Sequence, residues 1–196
     1  MKTKVLSIRN QMVLLACFFA LSSCEKVTTK IDVGDLTVKL DDIKIGDDGS
    51  AKSAGMVRFD DGTLTSFSAS QTLSMDMLAG LSSEAKDYQS RITKVEIGTE
   101  SSVIITSTDG SATVVEDFKI EAAGVRTLSV PLYHFGTPYT GDIEEFATQL
   151  LMKLFSSGSA GVPITISGKT DVDSDKTLQV KITLSEVSLV AKVLSD

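Results

Sequence analysis

The alternation of apolar and polar side chains predicts a mainly β protein, an antiparallel β-sandwich with one amphipathic helix at about residues 142–155 covering an edge or end. Leu36, Val38 and Leu40 alternate with Thr37 and Lys39, and Leu178, Val180, Ile182 and Leu184 alternate with Gln179, Lys181 and Thr183. That is the period of two of a half-buried strand. One stretch departs from it: Ile143, Phe146, Ala147, Leu150, Leu151 and Leu154 fall at three- and four-residue spacing, the period of a helix with one apolar face. Some nine strands and one solid helix pack most simply as two sheets face to face, with the helix closing a gap.

Taken in order, the first strand runs from Ile31 through Val33, Leu36, Val38 and Leu40. Asp41-Asp42 breaks its phase, and Ile43 and Ile45 resume one position out of step, as at a bulge or tight turn. Gly46-Asp47-Asp48-Gly49-Ser50 and Asp60-Asp61-Gly62 are turn formers, with Val57 and Phe59 in a strand between them. Leu73, Met77 and Leu81, spaced by four with Leu78 beside them, predict one or two helical turns over 73–81, and residues 82–87 a loop or another short helical turn. Strands return at 92–97, 102–106 and 112–120, the last two joined by a turn at Thr108-Asp109-Gly110. Leu128, Val130 and Leu132 alternate again before Pro131 and Pro138, which cannot donate to a ladder, disturb it, so this is expected to be an edge or irregular strand. Asp142 with Glu145 has the spacing of a capping box at the start of the helix. Ile164 and Ile166 then form a hairpin-like pair with the run 178–184, and Val187, Leu189, Val190 and Val193 make a last strand.

Charge divides the chain in two. Residues 1–23 hold Lys2, Lys4 and Arg9 and no acid; the other 173 hold 16 basic and 26 acidic residues, a net of −10 against −7 for the whole chain. The basic start runs into ten apolar residues, 12–21, about half of the roughly 20 that span a bilayer. With the small residues Ser22 and Ser23 behind it, this is the pattern of an export signal. Leu21-Ser22-Ser23-Cys24 resembles the lipobox of bacterial lipoproteins. The resemblance implies cleavage before Cys24, diacylglycerol on its sulfur and an acyl chain such as palmitate on the new amino group. The domain plan is then a removed signal at 1–23, a lipidated N-terminus and short tether at 24–30, and one β-rich domain at 31–196. Each lipid chain contributes about 0.8 kcal/mol per buried CH₂, so two or three hold a protein firmly. Glu25 stands where an Asp would signal retention at the inner membrane, so the resemblance implies an outer-membrane address, with the periplasmic and the outer face both open.

A second resemblance covers some 60 residues from about Thr127. A strand into Val130-Pro131-Leu132, then the helix, then Pro163-Ile164-Thr165-Ile166-Ser167-Gly168 is similar to the LEA-14/water-stress type of β-sandwich, in which a strand leads into a helix and back to a strand ending in Gly. It carries no diagnostic motif, and the preceding hundred residues match less clearly.

Several chemistries lose their residues. Cys17 leaves with the signal and Cys24 carries lipid, so no thiol remains for a disulfide. His134 is the only imidazole and no free Cys accompanies it, which removes a conventional zinc site. A triad using His134 lacks a Gly-x-Ser-x-Gly elbow, and His134 sits in the apolar run Leu132-Tyr133-His134-Phe135, as an interfacial or partly buried side chain would. Glu144-Glu145 is explained by the favourable field at a helix N-terminus rather than as a glycosidase pair. Asp171, Asp173 and Asp175 have the alternate spacing of calcium ligands, but Lys176 and Ile182 stand where the full loop needs Gly and Glu, so the simpler reading is an acidic hairpin turn. No cofactor is expected beyond that calcium candidate. Nucleotide loops are missing, and the −10 charge without a Lys/Arg run argues against nucleic acid. Ser and Thr total 45 of 196 residues and fill the polar sides of strands, as β-propensity and a neutral surface require; a glycan-contacting face is the functional alternative.

The expectation is an outer-membrane-anchored lipoprotein acting as a non-catalytic binding or structural module of the envelope, attached through its lipid, with a protein or glycan partner and no nucleic acid. One alternative is a carrier of a small hydrophobic or lipid ligand, with Phe146, Leu150 and Leu154 lining a pocket between sandwich and helix. Another is a small hydrolase built on His134.

Overall fold

The computed structural model describes residues 27–45, 64–173 and 175–193, with Asp41 described by its backbone alone. The turns expected at 46–50 and 60–62, the strand at 57–59, and Cys24 lie outside these residues. The protein is mainly β, with two antiparallel sheets and one long helix.

The first strand is longer than its alternation suggested. β1 (Thr28–Lys44) takes in residues 28–30, assigned above to the tether, because Thr28, Thr29 and Lys30 pair with Lys192, Ala191 and Val190. Its register slips between Leu40 and Ile43, where Asp42 takes φ +59°, so the phase break at Asp41-Asp42 is a bulge. A second irregularity surrounds Gly34 (φ +80°).

β2 (Thr65–Leu73) and β3 (Leu78–Ala79) enclose what forms of the helical turns expected over 73–81. A single 3₁₀ turn, Met75–Met77, joins them. Leu73 ends a strand of one sheet while Leu78 opens a strand of the other, so the four-residue apolar spacing belongs to a crossover with a buried residue at each end. α1 (Ser83–Asp87) is the short helical turn anticipated at 82–87, capped by the Ser82 hydroxyl accepting from Ala85 N at 3.2 Å. β4 (Ile92–Glu96), β5 (Ser102–Ser107), β6 (Val114–Ala122) and β7 (Leu128–His134) follow, then α2 (Ile143–Ser157), β8 (Val162–Thr170) and β9 (Thr177–Lys192).

β9 is the spine of the larger sheet. β1 pairs along one side of it, and β4 and β5 share the other, β4 beside 188–191 and β5 beside 178–183. β3 adds to the far edge of β1. The second sheet has the order β2-β8-β6-β7. β8 and β9 are therefore not the hairpin-like pair expected from their alternation: residues 171–176 carry the chain from one sheet to the other. Thr170, fully buried, anchors that step by donating to Val114 O at 2.8 Å and accepting from Val172 N at 3.3 Å. The separate last strand expected at 187–193 is a continuation of β9 past an irregularity at Glu186 (φ +48°).

Pro131 lies on an edge strand, as its missing N–H requires. Leu132, however, is 50% exposed, and Tyr133 takes the buried position. Both strands change phase at Asp117 (φ +50°) and Pro131, which sit opposite each other between the pairs Glu116↔Leu132 and Phe118↔Val130. Tyr133 then spans the core and accepts from Ile105 N at 2.9 Å, and the backbone of Tyr139 exchanges hydrogen bonds with Val103 at 2.8 and 2.9 Å. These two tyrosine positions satisfy the outer edge of β5.

α2 buries the six residues its spacing named, and Phe155 besides. It packs against β4, the 3₁₀ turn Gln89–Arg91 and β8. The capping box does not form: Asp142 is left-handed (φ +44°) with no side-chain cap, and Glu145 turns instead to Arg126 and Gln149. Gly161 (φ +69°) returns the chain to β8, where a Cβ would stand 2.6 Å from Leu73 O.

Candidate functional site

The three aspartates read as calcium candidates point to separate partners. Asp171 accepts from Thr113 N at 2.8 Å, Thr113 Oγ1 at 2.6 Å and Val114 N at 3.1 Å. Partial burial pushes its pKa up, but these donors together outweigh burial and hold it below the usual carboxylate range. Asp175 pairs with Lys176 at 2.9 Å, and Asp173 takes part through its backbone N, which donates to Asp109 at 3.1 Å. Asp109 also accepts from Ser111 Oγ at 2.7 Å and Ser111 N at 2.9 Å, and these bonds lower its pKa to about 2. Asp109 and Asp171 thereby fasten the loop between β5 and β6 to the crossover between β8 and β9. Among the described residues no three Asp, Glu, His or Cys side chains converge as metal ligands.

His134 is exposed at the end of β7, where an interfacial or partly buried position was expected, and its imidazole makes no hydrogen bond or ion pair among the described residues. Phe146, Leu150 and Leu154 belong to the core cluster at 0%, 4% and 0% exposure. Two surface depressions lie near the helix, of about 240 Å³ at its N-terminus and about 500 Å³ near its C-terminus, and neither is lined by these three residues. The first is polar. Its Arg126 pairs with Glu145, which holds the guanidinium pKa above its ordinary value, and Arg126 N donates to Gln149 Oε1 at 2.6 Å. The turn after β6 is thereby clamped onto the helix.

A different arrangement emerges on the outward side of the larger sheet. With Leu36, Val38 and Leu40 inside, Thr37 and Lys39 face out, and the register sets Lys39 opposite Lys181 and Lys181 opposite Ile104. Nearer the N-terminus the same side carries Lys30, Val190 and Lys94 on one rung and Lys192 on the next. Lys30 and Lys94 both reach Glu96, at 3.4 and 2.6 Å, and lower its pKa to about 2. Thr37, Thr183 and Ser102 lie between the two lysine groups. These lysines are far apart in the sequence, and only the pairing of β1, β9 and β4 assembles them; the signal within the sequence was the polar phase of the alternating runs, where Lys39 and Lys181 stand.

Comparison with protein-family models, with curated proteins and with solved structures finds no match. The functional reading therefore rests on the chain's own residues.

Proposed function

We propose that the chain is a lipoprotein of the bacterial outer membrane, attached through lipid on Cys24, and that its sandwich serves as a non-catalytic binding or structural module of the cell envelope. The observation that carries this is Leu21-Ser22-Ser23-Cys24 behind a basic and then apolar start. The fold supports it in one respect: β1 opens at Thr28, and Val27 O accepts from Val193 N at 2.9 Å. Four residues of extended chain reach about 14 Å at most, so a lipid on Cys24 would keep the sandwich against the bilayer. A carrier would need room behind α2, whereas Phe146, Leu150 and Leu154 are core residues. A hydrolase would need partners for His134, and the imidazole is exposed with none among the described residues.

Metabolic labelling with radioactive palmitate, followed by membrane fractionation, tests the proposal. The wild-type chain is expected to carry label and to sediment with outer membranes, while Cys24→Ala carries none and stays soluble. Label on the Cys24→Ala chain, or an unlabelled soluble wild type, overturns the anchor.

A further inference from the structure

We propose that the outward face of the five-stranded sheet binds a linear anionic polysaccharide, gripped at its centre by Lys39 and Lys181. The inference names a partner for the envelope module proposed above and rests on that reading for where the partner is met.

Lys39 and Lys181 are directly opposed on antiparallel strands, where like charges repel and destabilise the ladder. Neither has an ion pair or hydrogen bond among the described residues. An unrelieved pair of this kind is stabilised by an anion laid across it. The same face continues through the hydroxyls of Thr37, Thr183 and Ser102, past the exposed Asp35 and Glu186 at the irregularity between β1 and β9, to Lys30, Lys94 and Lys192, beside which stand Asp32 and Glu96. From Thr28 to Lys39 the strip is roughly 35 Å long at about 3.3 Å per residue. It is narrow and extended, its unpaired cationic part lies at Lys39 and Lys181, and between its charges it offers donors and acceptors suited to sugar hydroxyls.

The alternative anionic surface, a bilayer, is favoured less. A bilayer faces the whole footprint of the domain, whose net charge is −10 beyond residue 23, within a Debye length of about 8 Å. A thread lies along the strip alone. Membrane docking also gains from apolar side chains that insert; among the described residues the exposed large apolar ones, Val27 and Leu132, are not on this face, and its Ile104 and Val190 are only half-exposed.

The test is binding of the full-length gene product, purified in neutral detergent from whichever cell fraction holds it, to polygalacturonate and to heparin, with dextran and phosphatidylglycerol vesicles alongside. Salt-sensitive binding to the two polyanions and none to dextran is expected. Lys39→Gln with Lys181→Gln should weaken it by roughly tenfold or more, since each lysine near an anionic surface contributes about 1 kcal/mol. The double variant should also melt no lower than wild type, because a repulsive pair has been removed, which separates lost binding from lost folding. Lys119→Gln on the other sheet should leave binding unchanged. Wild type failing to bind either polyanion at low salt, the double variant binding as wild type does, or vesicles binding more tightly than both polysaccharides would each overturn the proposal. The vesicle comparison is made with the Cys24→Ala chain, since lipid on Cys24 would itself insert into a bilayer, and polyanion binding does not depend on Cys24, so failure of the anchor and failure of the face are read separately.

Discussion

The hydroxyl of Tyr133 offers a direct test of how the sandwich is closed. It accepts from Ile105 N at 2.9 Å inside the core, with Tyr133 2% and Ile105 0% exposed. Tyr133→Phe keeps the ring, and with it the edge-to-face contact with Phe135 at 6.0 Å between centroids, but leaves a buried N–H without an acceptor. A group orphaned in this way costs about 1–3 kcal/mol. Taking about 2 kcal/mol, and about 2–4 °C per kcal/mol for a domain of this size, the expected fall in Tm is roughly 4–8 °C. Urea melts followed by far-UV circular dichroism should show a lower midpoint at an unchanged slope, and the Ile105 amide should exchange with solvent faster. Tyr139→Phe is the control, because half-buried Tyr139 pairs with Val103 through its backbone and its hydroxyl makes no hydrogen bond among the described residues; its loss should cost less than about 0.5 kcal/mol. A Tyr133→Phe protein that melts within about 1 °C of wild type, with Ile105 exchange unaltered, would refute the role given to this bond.

Two further outcomes are expected. The carboxyls of Asp109 and Glu96, with folded pKa values near 2 against ordinary values of 3.8 and 4.5, bind protons less readily in the folded state than in the unfolded one. Their stabilisation is fully present above about pH 4.5 and is lost as pH falls toward 2, so acid titration of ellipticity should show a limb in that window that Asp109→Asn shallows. Phe146→Ala, at a fully buried site on α2, should cost about 3–5 kcal/mol in urea melts, and a loss below about 1 kcal/mol would mean that the space behind the helix is already open.

The fold was legible wherever one face of an element is buried and the other wet. α2 displayed its inner stripe residue by residue, and the bulge at Asp41-Asp42 showed as a slip in alternation, because burial imposes a period that a single chain records. Pairing left no such record. Alternation in neighbouring runs cannot tell whether β8 and β9 lie side by side or in opposite sheets, since Ile164 and Leu178 are buried either way. The apolar spacing at Leu73, Met77 and Leu81 showed the single turn at Met75–Met77 but not the change of sheet around it, for a related reason: a crossover with a buried residue at each end has the spacing of a longer helix. The capping box failed because Arg126, in the turn after β6, competes for Glu145, and a local motif carries no information about a distant cation. The lysine face is hidden for the same reason, being a product of register alone.

The position of β9 in its sheet also sets an order of events in folding. Every other strand of that sheet but β3 pairs with residues 177–192, and β1 reaches across from Thr28 to Lys192. Until that segment is available, β1, β4 and β5 have no common partner, and their exposed edges can only wait. Pairings between such distant positions fold slowly, on the scale of milliseconds to seconds. In a chain that crosses a membrane unfolded, as the proposed export requires, the segment that completes this sheet is the last of the described strands to arrive, so β1, β4 and β5 cannot be joined before it.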